Sequence, residues 1–303
     1  QSQGEIICQL EVAILASYRP LYKLEWFDHE NMISSLNDLI DLQCVEPIVE
    51  EKIKGELKSL AAIENLVSCA VMEQYEENPY PRWHEFHRPA SRDIKQYVND
   101  LKCRLQDHSF LDTKVPEILI AGCGTGQQAI NTAALHKNSK VIAIDLSKAS
   151  LAYAKRKSAE LKFDNIQFFH GDILKLELLG KEFDLVECSG VLHHLDEPMD
   201  GWRELLKCLR PGGLMNIALY SEQARNHIAK IRNEIFDMGI SASLDDIRVF
   251  RNFLATSDEP HHLKILNSVD FYSYSTIRDL LFHVQEHRFT VPEIKQCLES
   301  LGL

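Results

Sequence analysis

The chain has 303 residues, and 45 Asp and Glu against 33 Lys and Arg give it a formal net charge of −12. That balance lacks the positive field that draws proteins to long nucleic acid, and no apolar run approaches the roughly 18 residues a membrane span needs. With 45% hydrophobic and 26% charged residues, the composition is that of an ordinary globular chain. The eight cysteines are scattered with no CxxC pair, which points to a reducing, cytoplasmic setting.

The N-terminal region, residues 1–74, reads as all-α. IICQLEVAILASY, MISSLNDLIDLQ and IVEEKIKGELKSL each repeat apolar residues at three-to-four spacing. Residues 75–110 form a linker or lid, since Pro79 and Pro81 forbid a continuous helix or a central strand. Helical texture returns over 91–106. Across 111–221 the pattern changes to short apolar runs alternating with amphipathic stretches. EILIAG leads to a helix over 127–136, KVIAID to one over 147–161, and IQFFH to a short segment. FDLVECS then leads to a helix near 198–209, and GLMNIALYS closes the series. Five such strands predict an α/β fold, a doubly wound, Rossmann-like parallel sheet. Residues 222–303 read as a helical insertion after the fifth strand. Its predicted parts are helix over 222–256, polar loop over 257–270, and helices over 275–288 and 291–301.

The first strand runs into Gly122-Cys123-Gly124-Thr125-Gly126-Gln127. Alternating glycines between strand and helix let the backbone turn sharply and lie against a ligand. The dinucleotide fingerprint needs its last Gly where Gln127 stands, so a nicotinamide cofactor is disfavoured. Asp145 ends the second strand, where a carboxylate accepts two hydrogen bonds from a ribose diol. Together these residues imply a nucleoside ligand.

ILIAGCGTG, VIAIDLS, HGDI, FDLVECSGVLHHL and LRPGGLMNIALYS, in this order over about 115–221, resemble the class I S-adenosylmethionine-dependent methyltransferases. The resemblance implies S-adenosyl-L-methionine as cofactor and a sheet ordered 3-2-1-4-5-7-6. It places Gly122, Cys123, Gly124 and Gly126 against the methionine portion and ribose, and Asp145 on the ribose diol. Leu146 would pack on the adenine, Asp172 and Ile173 would meet its amino edge, and Ser189 and Gly190 would floor the methyl site. Most members carry an acidic residue at the place of Ile120, so the usual anchor of the methionine amino group is missing or supplied from elsewhere. YEENPYPRW and LLFHVQEHRFT resemble a narrower group, the bacterial methyltransferase domains that follow tetratricopeptide-type repeats. Strands six and seven have no counterpart before the chain stops, which reads as a piece of something longer.

Several residues admit two readings. Tyr75, Tyr80, Arg82 and Trp83 form either a lid, with aromatic faces on a sulfonium and Arg82 on a carboxylate, or a Pro-stiffened joint that packs helices onto the sheet. His193 and His194 follow the fourth strand, either as a catalytic base or as pocket shape. His283 with His287, and His84 with His87, have helical spacing but no further convergent ligands, so no metal is expected. His261 and His262 fall in the polar loop. Tyr220, Phe271, Tyr272, Tyr274, Glu286 and Arg288 are candidates for acceptor choice. The function implied is methyl transfer by in-line displacement to an unidentified protein or small-molecule acceptor. A binding scaffold without turnover and an aminopropyl transferase are the alternatives.

Overall fold

The computed structural model describes residues 8–28, 34–101, 112–136 and 138–303. The predicted helical stretch at 102–106, with Cys103, lies outside the described residues. Two compact units emerge, Gln1–Glu56 and Leu57–Leu303.

The first unit holds α1 (Gln9–Tyr18), α2 (Asn37–Ile40) and α3 (Glu46–Glu56), with a single wide turn over Asp41–Val45 joining the last two. Val12, Ala16, Leu21, Ile40 and Cys44 form its small core. Gln43 ties that core together: its amide donates to Ala16 O at 3.0 Å and accepts from Leu21 N at 3.1 Å. The helix predicted through residue 60 ends at Glu56.

In the second unit, α4 (Leu66–Glu77) and α5 (Ile94–Leu101) precede the sheet. The Asn65 side chain accepts from Ser68 N and so starts α4 at the N-cap. The α/β series is β1 (Glu117–Ala121), α6 (Gln127–Leu135), β2 (Lys140–Asp145), α7 (Lys148–Glu160), β3 (Ile166–His170), β4 (Phe183–Ser189), α8 (Pro198–Lys207) and β5 (Leu209–Ala218). The strands are parallel in the order β3-β2-β1-β4-β5. β1, β2 and β4 are mainly apolar and almost wholly buried because helices cover both faces, and β4 also buries Asp184 and Glu187. A register shift between Phe183 and Leu185 accommodates Pro211-Gly212-Gly213 at the start of β5. β3 receives the segment after α3: His170 N donates to Lys58 O and Leu60 N to His170 O, each at 2.9 Å.

The remaining helices are α9 (Asn226–Asp237), α10 (Leu244–Ala255), α11 (Pro260–Leu266), α12 (Tyr274–Phe282) and α13 (Val291–Leu301). The first four share a core of their own, built on Ile228, Ile231, Ile247, Phe250, Leu254 and Ile277. α13 instead lays Ile294, Cys297, Leu298 and Leu301 against the core beneath the sheet. The helical pattern over 222–256 is carried by α9 and α10. Two expectations are corrected. The predicted loop at 257–270 contains α11, and His261 and His262 lie on it. The predicted helix over 275–288 stops at Phe282, so His283 and His287 do not share a helix face. Beyond Phe282 the chain runs extended, and Phe289 pairs with the end of β5 through Phe289 N to Tyr220 O at 2.8 Å and Glu222 N to Phe289 O at 3.0 Å. Among the described residues, no helix is long and apolar enough to cross a membrane.

Candidate functional site

The site begins with a loop that tolerates only glycine. Gly122 N and Cys123 N both donate to Ile144 O, at 2.8 and 2.9 Å, pinning the turn onto β2. Gly122 has φ +75° and Gly126 φ +84°. A Cβ at Gly122 would lie 2.1 Å from Val191 Cγ2, and one at Gly126 2.5 Å from Ala154 Cβ. The loop therefore touches the β4 exit on one side and α7 on the other, with no room for a side chain. Asp145, at the end of β2, accepts from Gly124 N at 2.7 Å and from Ser147 N at 2.9 Å. Burial nevertheless pushes its carboxyl up to about 6. Asp172 follows β3 and accepts from Leu174 N at 3.0 Å, starting the short helical turn Ile173–Leu179.

These residues wall a pocket of about 280 Å³ at the carboxyl ends of the strands, the usual ligand position in an open α/β sheet. Gly122, Cys123, Gly124, Asp145, Leu146, Asp172, Ile173, Ser189 and Gly190 all line it, and Gly126 closes the turn behind it. A Cβ on Gly190 would meet nothing within 4 Å, so the floor there is open. Tyr75 and Tyr80, from α4 and the proline segment, also line it, with His194, Tyr220 and Asp279.

The residues of the proline segment divide between the pocket and the core. Tyr75, Tyr80 and Pro81 face the pocket. Trp83 turns away into a buried cluster with Ile130 and Tyr153, and its indole N–H donates to Thr125 O at 3.1 Å. The Tyr153 hydroxyl donates to Trp83 O, and the Thr125 hydroxyl to Pro81 O. Arg82 does not line the pocket. Its guanidinium lies over the Tyr153 ring, 5.2 Å from the centroid, so the reading that sets it on a ligand carboxylate is corrected.

His193 and His194 diverge. His193 is buried with neither ring nitrogen hydrogen-bonded, stacks on Tyr220 at 3.7 Å, and has its pKa pushed down by burial to about 2. It packs as an uncharged aromatic ring and is not among the pocket-lining residues, so the reading of it as a base is corrected. His194 lines the pocket, stacks on His283 at 3.5 Å, and is pushed down to about 4, again by burial. Its Nδ1 lies 2.7 Å from Gln285 O. A carbonyl only accepts, so Nδ1 carries the proton and Nε2 is left as the acceptor.

Polar ties bring Tyr220, Asp279 and the 283–288 segment together. Glu286, whose side chain is 1% exposed, binds Arg225 through two contacts of 3.0 and 2.6 Å. The Arg225 guanidinium also covers the Tyr220 ring, 3.7 Å from its centroid. Arg232 donates to Leu281 O at 3.1 Å and His283 O at 2.7 Å, satisfying carbonyls where α12 ends. Asp279 accepts from the Tyr75 hydroxyl at 2.7 Å, joining α12 to α4. Among the acceptor candidates, Tyr220 reaches the pocket; Phe271 is cap core and Tyr272 is exposed. Arg288 pairs with Glu222 at 2.9 Å. His261 and His262 both bond Glu234, at 2.5 and 2.6 Å, clamping α11 to α9, and these three are the His, Cys, Asp and Glu side chains whose ligand atoms converge among the described residues. His84 and His87 are exposed. Sequence reasoning missed Asp279 and Gln128, whereas Tyr80 lines the pocket as the lid reading had it.

Residues 118–213 match the family described as Methyltransferase domain. An uncharacterised protein of Synechococcus sp. is 37% identical over 121 residues, which cover 40% of this chain and 29% of that protein. The demethylmenaquinone methyltransferase of Oceanobacillus iheyensis is 32% identical over 92 residues, 30% of this chain and 39% of the enzyme. Among solved structures, PKMT2 from Rickettsia typhi in complex with AdoHcy shares the fold at TM-score 0.50 and 19% identity, covering 61% of this chain and 38% of that one. The chain thus spans under half the length of these relatives. Over this segment, with its glycine loop, the carboxylate ending β2 and the strand order β3-β2-β1-β4-β5, the chain is similar to methyltransferase domains.

Proposed function

We propose that this chain binds S-adenosylmethionine in the pocket beneath Tyr75 and Tyr80 and directs its methyl group to an acceptor admitted under the 222–303 cap. When bound, the cofactor supplies an electrophilic methyl carbon on a sulfonium, open to in-line displacement. The observation that carries this reading is one pocket walled at once by the glycine loop, the Asp145 and Asp172 carboxylates and an aromatic face. That donor set suits a positively charged nucleoside. Asp145 would accept from the ribose diol, Asp172 and Ile173 would meet the adenine edge, and Ser189 and Gly190 would floor the methyl site. Tyr75 and Tyr80, from the 75–110 lid region, would exclude water, and positioning rather than acid–base chemistry would supply most of the rate. His194, uncharged near neutral pH, offers its Nε2 as an acceptor.

Calorimetric titration of S-adenosylmethionine and S-adenosylhomocysteine into this chain tests the reading. Micromolar binding is expected on the general scale of such ligands. Asp145→Ala should weaken it by at least about thirtyfold, the scale of a lost charge-assisted pair. Undiminished affinity in Asp145→Ala would remove the ribose assignment, and no binding by the unaltered chain would remove the cofactor.

A further inference from the structure

The pocket wall is lopsided in charge. Asp145, Asp172 and Asp279 line it, and no Lys or Arg does among the described residues. Asp145 and Asp172 stand on the strand side with their oxygens on backbone N–H groups. Asp279 arrives from α12 on the opposite side and accepts from the Tyr75 hydroxyl. Arg225, whose charge reaches Asp279, is itself held by the buried Glu286 at 2.6 Å. Tyr75, Tyr80 and Tyr220 line the same wall, and burial with the Asp279 charge raises their hydroxyl pKa values, so they remain neutral phenols. His194 beside them is uncharged near neutral pH.

We propose that Asp279, with Tyr75, Tyr80 and Tyr220, forms the acceptor subsite, and that the acceptor is a basic nitrogen, a primary or secondary amine. The inference rests on the proposed function and names the substrate class of that same site. A carboxylate among aromatic faces attracts a protonated amine by charge and by cation–π contact. The same wall repels carboxylate and phosphate acceptors, because no cation lines it to compensate them. Tyr220 lies just past the end of β5 and His194 just past β4, on the half of the sheet away from β3, which Asp172 follows. In the transfer, the bound ammonium gives one proton to the Asp279 carboxylate, which passes it to water. The freed nitrogen lone pair forms the N–C bond as the C–S bond breaks. The electron pair of that bond goes to sulfur, which departs as the neutral thioether.

Sinefungin tests this without knowledge of the acceptor, because its amine stands where the transferred methyl group would be. Calorimetry should give sinefungin an affinity about tenfold above that of S-adenosylhomocysteine, the scale of one charge-assisted hydrogen bond. This first comparison needs no variant. In Asp279→Asn, which keeps the side-chain shape and can still accept from Tyr75, the advantage should fall to about twofold or less, with S-adenosylhomocysteine binding unchanged. Equal affinities in the unaltered chain, or an advantage that survives Asp279→Asn, would overturn the proposal. Weakened S-adenosylhomocysteine binding in Asp279→Asn would also overturn it, by assigning the carboxylate to the amino group of the cofactor in place of the acidic residue missing at Ile120. If the unaltered chain bound neither ligand, the cofactor reading itself would fail, a result distinct from the others.

Discussion

The sheet and the cap hold their halves of the pocket by opposite means. On the sheet side, β1 and β2 are mainly apolar, β4 sets Asp184 and Glu187 among apolar residues, and most polar groups that face the pocket sit at strand ends, where the chain must turn. Backbone hydrogen bonds and glycine contacts fix that half locally. On the cap side, the corresponding order comes from buried polar side chains reaching across the fold: Arg225 to Glu286, Arg232 to the 281–283 carbonyls, Asp279 to Tyr75. Apolar burial is forgiving of sequence, whereas a buried charge is tolerable only while its partner stands. The strand half is therefore expected to be robust and the cap half sensitive to single polar substitutions and to pH.

Three experiments bear on that contrast. Arg225→Ala should have the largest effect, at a cost of up to about 3–5 kcal/mol, because it leaves the buried Glu286 with only the longer 3.6 Å contact to Arg288. Amide hydrogen exchange should show protection lost in α9 and α12 and kept in β1, β2 and β4. Uniform loss in sheet and cap alike would mean that they unfold as one.

Next comes acid. His193 and His283 are pushed down to about 2 and His194 to about 4, each first by burial. The folded state holds these rings uncharged, while the unfolded chain takes up protons below about pH 6.5. Their contribution is complete above that pH and is lost as pH falls, at about 1.4 kcal/mol per pH unit for each ring. Asp145 and Asp279, raised to about 6, act in the other direction, regaining stability as pH falls from about 6 towards the ordinary carboxyl value of 3.8. Denaturant midpoints between pH 4.5 and 6.5 should fall with acidity, and His283→Gln should flatten that slope by about one ring. An unchanged slope in His283→Gln would mean that His283 already carries its proton in the folded protein.

The smallest effect is expected at Arg82. Arg82→Ala removes one stacking contact on Tyr153, worth about 0.5–1 kcal/mol of stability, and should leave S-adenosylmethionine affinity within about twofold. A tenfold loss of affinity would restore it to the pocket.

The legible part of this protein follows the same division. β1 to β5 could be read because each contains a short, mainly apolar run between turn signals, and the glycine loop, Asp145 and Asp172 follow from their position at or just after a strand end. The residues of the other wall carry no such mark. Asp279 sits in YSTIRDLLF, where periodicity reads it as one polar residue of an amphipathic helix. Its place in the pocket depends on Tyr75, 204 positions away in sequence. The end of α12 at Phe282 was equally invisible: LLFHVQEH continues a helical pattern, but Arg232 takes the Leu281 and His283 carbonyls and Phe289 pairs beside Tyr220. The division within YEENPYPRW, with Tyr80 inward and Arg82 outward onto Tyr153, also needed the partners in place.

By itself the sequence determined the strands, their order of appearance and the pocket-facing ends, since local apolar patterning and glycine geometry specify these within a few residues. Only the tertiary structure decided which side chains close the pocket from above, because buried polar groups are placed by distant partners and no local pattern encodes the pairing.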